Sequence, residues 1–200
     1  MRAFGITLRP AERAGAKQIA LIYAPIVSAT FISFETDPPS SEVMAERIET
    51  SQQRYPWLVA TAGEAILGYA YASEHRQRAA YRWSVDVTAY VAENARRQGV
   101  GRRLYDTLIA VLTAQGFRSA FAGITLPNDA SVGLHEAVGF VPLGIYKDVG
   151  FKLGAWRDVG WWSCPLNPLG AIPPPEPIAF PVMRSTPIFT RILEELASPG

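Results

Sequence analysis

Several things are scarce in this chain of 200 residues. It carries one cysteine, Cys164, two histidines, His75 and His135, and a net charge of only +1 from 19 basic and 18 acidic residues. A lone cysteine excludes an internal disulfide and any cysteine-rich zinc site, and fits a reducing compartment. The balanced charge supplies no field favouring nucleic acid or an anionic membrane. No uninterrupted run of about 18 apolar residues is present, so no membrane-spanning helix is expected. The opening residues, MRAFGITLRPAERAG, lack the apolar core of a secretory leader. The expectation is a soluble cytoplasmic protein with no metal and with neither nucleic acid nor membrane as partner.

What is present suits one domain with a substantial core: 48% of residues are hydrophobic and 18% charged. Alternation from Ala3 to Arg9 predicts an opening strand stopped by Pro10. Ile19, Ile22 and Tyr23 recur at helical spacing and predict a helix over Ala11–Ala24. The segment PIVSATFISFETDPPS (25–40), rich in β-branched and aromatic residues, reads as extended or loop. Ser40 or Ser41 then caps a second helix that Pro56 ends. Strands are expected at 57–61 and 66–73 about a hairpin-length connector, and a longer one at Tyr81–Val91.

From Gly99 to Gln115, Val100, Leu104, Leu108, Val111 and Leu112 share one helical face, and Gly116 stops it. A short strand (119–126), a helix from the Pro127-Asn128-Asp129 turn to about Val138, a strand to about Tyr146 and another over Phe151–Ser163 complete the core. The tail differs: residues 165–187 hold eight prolines. That density is incompatible with regular helix or central strand and reads as an extended arm. A short amphipathic helix is expected over Ile188–Leu196. The chain thus divides into a domain (1–165) and a Pro-rich arm (166–200).

The stretch SVDVTAYVAENARRQGVG (84–101) runs from a strand through a Gly-rich turn into a helix. Converging backbone N–H groups and the positive helix start make such a turn an anion site. It follows the fourth strand and supplies neither GxGxxG nor Gly-Lys-Ser/Thr, which excludes a dinucleotide fold and a P-loop.

Arg96-Arg97-Gln98-Gly99-Val100-Gly101 resembles the Arg/Gln-x-x-Gly-x-Gly/Ala turn of the GNAT acetyltransferase superfamily. RYPWLVA (54–60), YAYAS (69–73), AYRWSVDVTAYV (80–91), LPNDASVGLHEAVGF (126–140) and GFKLGAWRDVGWW (150–162) further resemble the phosphinothricin and methionine sulfoximine N-acetyltransferases. The likeness covers about the first 165 residues. It implies an α+β GNAT fold: a mixed, mostly antiparallel sheet with a splayed central strand pair, a bulged fourth strand, and helices on both faces. It also implies acetyl-CoA as co-substrate, acetylation of the amino group of a small amino acid or analogue by direct attack in a ternary complex, and a homodimer. Other readings stay open: another amine acceptor, such as a polyamine or protein N-terminus, or a non-catalytic acyl-CoA-binding or interaction module.

Carried over residue by residue, the resemblance assigns Arg96, Arg97, Gln98, Gly99, Val100, Gly101, Arg102 and Leu104 to the diphosphate. It assigns the backbone of Ala89, Tyr90 and Val91 to the pantetheine and thioester, with Asn128 and Ser131 beside the same arm. Asp86 occupies the place of a glutamate regarded as general base, one methylene shorter, and His135 matches the histidine of a Leu-His-Glu segment. Phe34 and Glu35, in a loop over the acceptor, together with Arg76, Arg78, Tyr81 and Lys152, are the implied acceptor-binding residues. Trp156 is a further one, and with Trp161 and Trp162 a candidate dimer contact.

Overall fold

A computed structural model describes residues 5–170 and 172–197. The chain opens with β1 (Thr7–Pro10), followed by a 3-10 turn at Arg13–Gly15 and by α1 (Ala16–Ala29). Next is α2 (Ser41–Ser51), whose N-cap is Ser40: its hydroxyl accepts the Val43 N–H. β2 (Trp57–Ala62) and β3 (Ala65–Glu74) form a hairpin, and β4 (Ser84–Val91) follows a 3-10 turn at Ala79–Tyr81. Then come α3 (Val100–Gln115), β5 (Ser119–Thr125), α4 (Asp129–Ala137), β6 (Val141–Lys152) and β7 (Ala155–Pro165). The tail adds α5 (Phe180–Met183) and α6 (Pro187–Ala197).

Seven strands make one sheet in the order β1-β2-β3-β4-β5-β7-β6. Neighbours run antiparallel except β4 and β5, which are parallel and pair only through Ser84, Val85 and Asp86 with Ser119, Ala120 and Phe121. Beyond Asp86 the two strands part. Strand alternation sends Val85 and Val87 to one face, where they pack with Leu104, Leu108, Val111 and Leu112 of α3. The opposite face packs Trp57, Val59 and Tyr69 against Ile19, Tyr23, Met44 and Ile48 of α1 and α2. Helices therefore cover both faces, and the gap between β4 and β5 opens at the centre of the sheet.

Several boundaries depart from the sequence expectations. The first strand begins at Thr7; Ala3 and Phe4, in the expected strand, lie outside the described residues. α1 starts five residues later than expected and continues through Pro25 to Ala29. Burial of Ile26 and Val27 against the sheet offsets the hydrogen bond that the proline removes. β4 starts at Ser84, because Tyr81 lies in the preceding turn. The two closing strands are one long hairpin, in which β6 passes an irregularity between Tyr146 and Gly150. Asp158 holds that irregularity: its carboxylate accepts the Asp148 N–H at 3.0 Å and Lys147 Nζ at 2.7 Å.

The Pro-rich segment includes one helical turn, α5, and is bonded to the core. The Ile178 N–H donates to the Gln115 carbonyl, and Gln115 Nε2 donates back to the Ile178 carbonyl, both at 2.7 Å. Phe180, Met183 and Phe189 belong to the same buried cluster as α3.

Candidate active site

The start of α3 is built as an anion cradle. Arg97 at φ 60° and Gly99 at φ 78° are left-handed, so the turn curls and gathers successive N–H groups. The N–H groups of Val100, Gly101 and Arg102 have no intrahelical acceptor, and no acidic residue lies in that first turn. Arg96, Arg97, Gln98, Gly99 and Arg102 are exposed around it. Gly101 is pressed against α4, where an added Cβ would lie 3.0 Å from Leu134 Cδ2. Donors, cationic side chains and the helix start fit a diphosphate. Leu104 is a correction: its side chain is fully buried in the core below the turn, out of a ligand's reach.

Where β4 and β5 separate lies a cavity of about 80 Å³, lined among others by Ala89, Tyr90, Asn128, Ser131 and His135. Val91 ends β4 beside the turn. The expected bulge in β4 is absent: its register with β3 runs unbroken from Gly68 opposite Val91 to Glu74 opposite Val85. The gap lies between two intact pairings instead: β4 stays on β3 to Val91, and β5 stays on β7 to Thr125. Only glycine fits at position 68, since a Cβ there would lie 2.8 Å from the Tyr90 carbonyl oxygen.

His135 is 5% exposed. Its Nδ1 lies 2.7 Å from the Ser131 carbonyl, which assigns the proton to Nδ1 and leaves Nε2 to accept the Tyr105 hydroxyl at 2.7 Å. Burial pushes the His135 pKa down, so the ring is neutral at pH 7. Tyr105, which the sequence reading missed, also lines the cavity, and burial raises its pKa. It lies beside Leu104 on α3, outside the apolar stripe read from the sequence.

Asp86 sits on the last paired rung of β4 and β5, opposite Phe121 on one side and Ser73 on the other. Its Oδ1 lies 2.6 Å from Nδ1 of His75. Burial raises the Asp86 pKa, and the His75 bond pulls the other way without cancelling the rise. The His75 ring stacks on Phe121 at 4.4 Å and meets Tyr81 and Trp161 edge-on. His75 was not singled out in the sequence, because its neighbour across the sheet depends on the β3–β4 register.

The structure separates the predicted acceptor residues into two groups. Arg76 and Tyr81 flank the Asp86–His75 pair; Arg76 lies over the Trp161 ring at 5.5 Å. Arg78 is exposed at the start of the 3-10 turn. Phe34 closes on Gly150, where any Cβ would collide with its ring.

Glu35 and Lys152 are corrections. The Glu35 carboxylate accepts both terminal nitrogens of Arg47, at 2.7 and 3.0 Å, and the Tyr23 hydroxyl at 3.0 Å. Burial favours its protonation, but Arg47 and Tyr23 outweigh that and hold the carboxyl below its usual range. The buried Lys152 ammonium donates to the carbonyls of Val27, Ser33 and Glu35 at 2.6–2.7 Å. All three donors of Lys152 are consumed in shaping the 30–39 loop, and the Glu35 carboxylate is tied to Arg47 and Tyr23 beside it.

The tryptophans also divide. Trp162 is buried in the α3-face core, Trp161 lies over Gly123, and Trp156 alone is surface-facing at 62% exposure.

Comparison with known proteins bears on this geometry. Residues 8–161 match the model of the acetyltransferase (GNAT) domain. The phosphinothricin N-acetyltransferase of Streptomyces viridochromogenes is 39% identical over 158 residues, covering 79% of this chain and 86% of that protein. The L-methionine sulfoximine/L-methionine sulfone acetyltransferase of Pseudomonas paraeruginosa is 35% identical over 170 residues, covering 84% and 98%. The structure of a GNAT superfamily phosphinothricin acetyltransferase from Sinorhizobium meliloti in complex with AcCoA aligns with a TM-score of 0.78 at 39% identity, over 82% of this chain and 89% of that one.

Proposed function

The chain belongs to the GNAT acetyltransferase family, and from that premise we propose that it transfers the acetyl group of acetyl-CoA to the amino group of a small amino acid or analogue of the phosphinothricin, methionine sulfoximine or methionine sulfone type. One observation carries this reading: the acid-free start of α3 adjoins a strand gap, and that gap begins at the last rung holding the carboxylate of Asp86. Those are the three things the reaction needs, in spatial sequence: a diphosphate hold, a channel for the acyl arm, and a basic group.

In this reading the α3 turn binds the diphosphate through Val100, Gly101 and Arg102 N–H groups and the surrounding arginines. The β4 backbone from Val87 to Tyr90, freed of β5, bonds the acyl arm and polarises the thioester carbonyl. Asn128 caps α4 with its side chain and, with Ser131, walls the channel. An ammonium acceptor must lose a proton before its nitrogen can attack, and Asp86 supplies the negative charge that draws it away. Burial, by raising the Asp86 pKa, makes that end of the site a stronger base. The Tyr105 hydroxyl, bonded to Nε2 of neutral His135, stands with it at the channel wall as the pair proposed to relay a proton to the departing sulfur. Direct attack in a ternary complex is favoured because the chain's one thiol, Cys164, is buried on the α3 face, where burial raises its pKa.

The reading is tested by thiol release from acetyl-CoA over phosphinothricin, methionine sulfoximine, methionine sulfone, the proteinogenic amino acids and polyamines. Turnover confined to polyamines, or absent throughout, refutes the substrate class. The same reading includes a homodimer. Along edge strand β6, Val141, Leu143, Ile145, Val149 and Phe151 are all at least half exposed, with Trp156 beside them. Sedimentation equilibrium at micromolar concentration should give twice the chain mass, and Leu143→Glu should give the monomer.

A further inference from the structure

The deviation from the family pattern at Asp86 has a structural counterpart in His75. We propose that His75 is the group that takes the proton from the acceptor amine, with Asp86 behind it as the positioning residue. The inference rests on the acetyltransferase reading above and names an atom within that site.

Four observations carry it. First, Asp86 Oδ1 and His75 Nδ1 are 2.6 Å apart, within a pair whose side chains are only 28% and 12% exposed. An ionised Asp86 fixes the proton of the neutral ring on Nδ1 and leaves Nε2 as the nitrogen able to accept a proton. Second, the ring cannot swing: it lies flat on Phe121, 4.4 Å away and 19° from parallel, with Tyr81 and Trp161 edge-on. Third, His75 lines a cavity of about 210 Å³ together with Arg76, Phe121, Tyr146 and Trp161. Arg76 is the cation there, its guanidinium stacked on Trp161 and suited to an acceptor's carboxylate. Fourth, the aspartate is one methylene short of a glutamate, and the imidazole extends its reach. Phe121 also stands on the final rung before β4 and β5 part, so the ring lies at the inner end of the strand gap. The charged and titratable groups around the ring are Asp86 from β4, Arg76 beside it in the chain, Tyr81 from the 3-10 turn, and Tyr146 from β6 across the cavity.

The step balances simply. Nε2 of His75 takes one proton from the acceptor's ammonium while Nδ1–H stays on the Asp86 carboxylate. The nitrogen lone pair forms the N–C bond to the thioester carbonyl carbon, and the C–S bond breaks with its electron pair going to sulfur. The second proton shed by the nitrogen completes the thiol, and His75 returns the first to solvent. Asp86 stays ionised throughout.

The test uses the best acceptor of the wild-type protein. His75→Gln is expected to lower kcat by about 10²–10⁴-fold, with the KM for acetyl-CoA within about threefold of wild type. His75→Ala should regain activity in proportion to added imidazole, a rescue that a purely structural role would not produce. Asp86→Asn should also lower kcat, and the double variant should be no worse than His75→Gln, as for residues acting as one unit. In the wild-type protein, the pKa of His75 followed by ¹⁵N-histidine NMR should match the acid limb of kcat/KM. His75→Gln within threefold of wild type in kcat, no rescue of His75→Ala, or an NMR pKa more than about one unit from the kinetic one overturns the proposal. The NMR comparison decides if a variant fails to fold. Wild-type turnover with no acceptor at all instead removes the acetyltransferase reading, and the inference falls with it.

Discussion

Truncating Phe180 tests whether the Pro-rich tail is part of the folded unit. Phe180 is fully buried, packs edge-to-face on Phe189 at 5.7 Å and 77°, and shares the α3-face core with Met183. An aromatic side chain buries about 150–250 Å². At about 25 cal/mol per Å² that is roughly 4–6 kcal/mol for its burial, and a compact unfolded chain takes about 10–40% off the figure. The cavity left behind restores part of it, so Phe180→Ala is expected to cost about 4 kcal/mol, in the middle of the about 3–5 seen for buried Phe→Ala changes. For a chain of this size the melting temperature then falls by about 8–16 °C. Urea unfolding of wild type, Phe180→Ala and the half-exposed control Ile178→Ala measures it. Below the transition, acetyl transfer by Phe180→Ala should persist, since the turn and Asp86 do not touch Phe180. A loss under about 1 kcal/mol, matching the control, would falsify the docking of the tail.

Three further outcomes follow from single contacts. Gly68→Ala places a Cβ 2.8 Å from the Tyr90 carbonyl oxygen; overpacking of about 1–3 kcal/mol should push β4 out of place and weaken acetyl-CoA binding about tenfold or more, and an unchanged Kd by calorimetry would refute the role of this close approach. Lys152→Met removes one ammonium from three buried carbonyls, at a cost of about 3 kcal/mol, and should raise the acceptor KM while leaving that for acetyl-CoA unchanged. The His135 pKa is lowered by burial, so below about 6.5 the unfolded chain binds more protons than the native one. The stability tied to neutral His135 is therefore complete above that pH and is lost as pH falls toward the lowered native value. Urea midpoints at pH 7.5 and 5.5 should differ more for wild type than for His135→Gln, and equal differences would count against it.

Local pattern made much of this protein legible. The α3 stripe from Val100 to Leu112, the Ser40 cap and the paired strands about Gly63 follow from period and turn chemistry, and α3 and the hairpin were found within a residue or two. Where tertiary burial competes with local preference, the reading failed. Pro25 argued for a break, yet Ile26 and Val27 had a sheet to pack against and the helix continued. The break between the two closing strands was expected after Tyr146, yet Asp158 on the neighbouring strand holds the irregularity there and β6 runs on to Lys152. The prolines of the tail argued for an extended arm, and nothing local announced that Phe180 would enter the core.

The site divides in the same way. A left-handed turn at a helix start needs only adjacent residues, so Arg97, Gly99 and the acid-free start of α3 were determined by the sequence alone. Asp86 was singled out by the family resemblance and not by local pattern. Whether a charged side chain faces a ligand or is spent on the protein depends on neighbours distant in sequence. Lys152 meets Val27 across 125 positions, Glu35 meets Arg47 on the next helix, and Asp86 meets His75 only through the β3–β4 register. Those pairings arise when strands align and loops close, which is why only the tertiary structure decided that Glu35 and Lys152 shape a loop and that a histidine stands before Asp86.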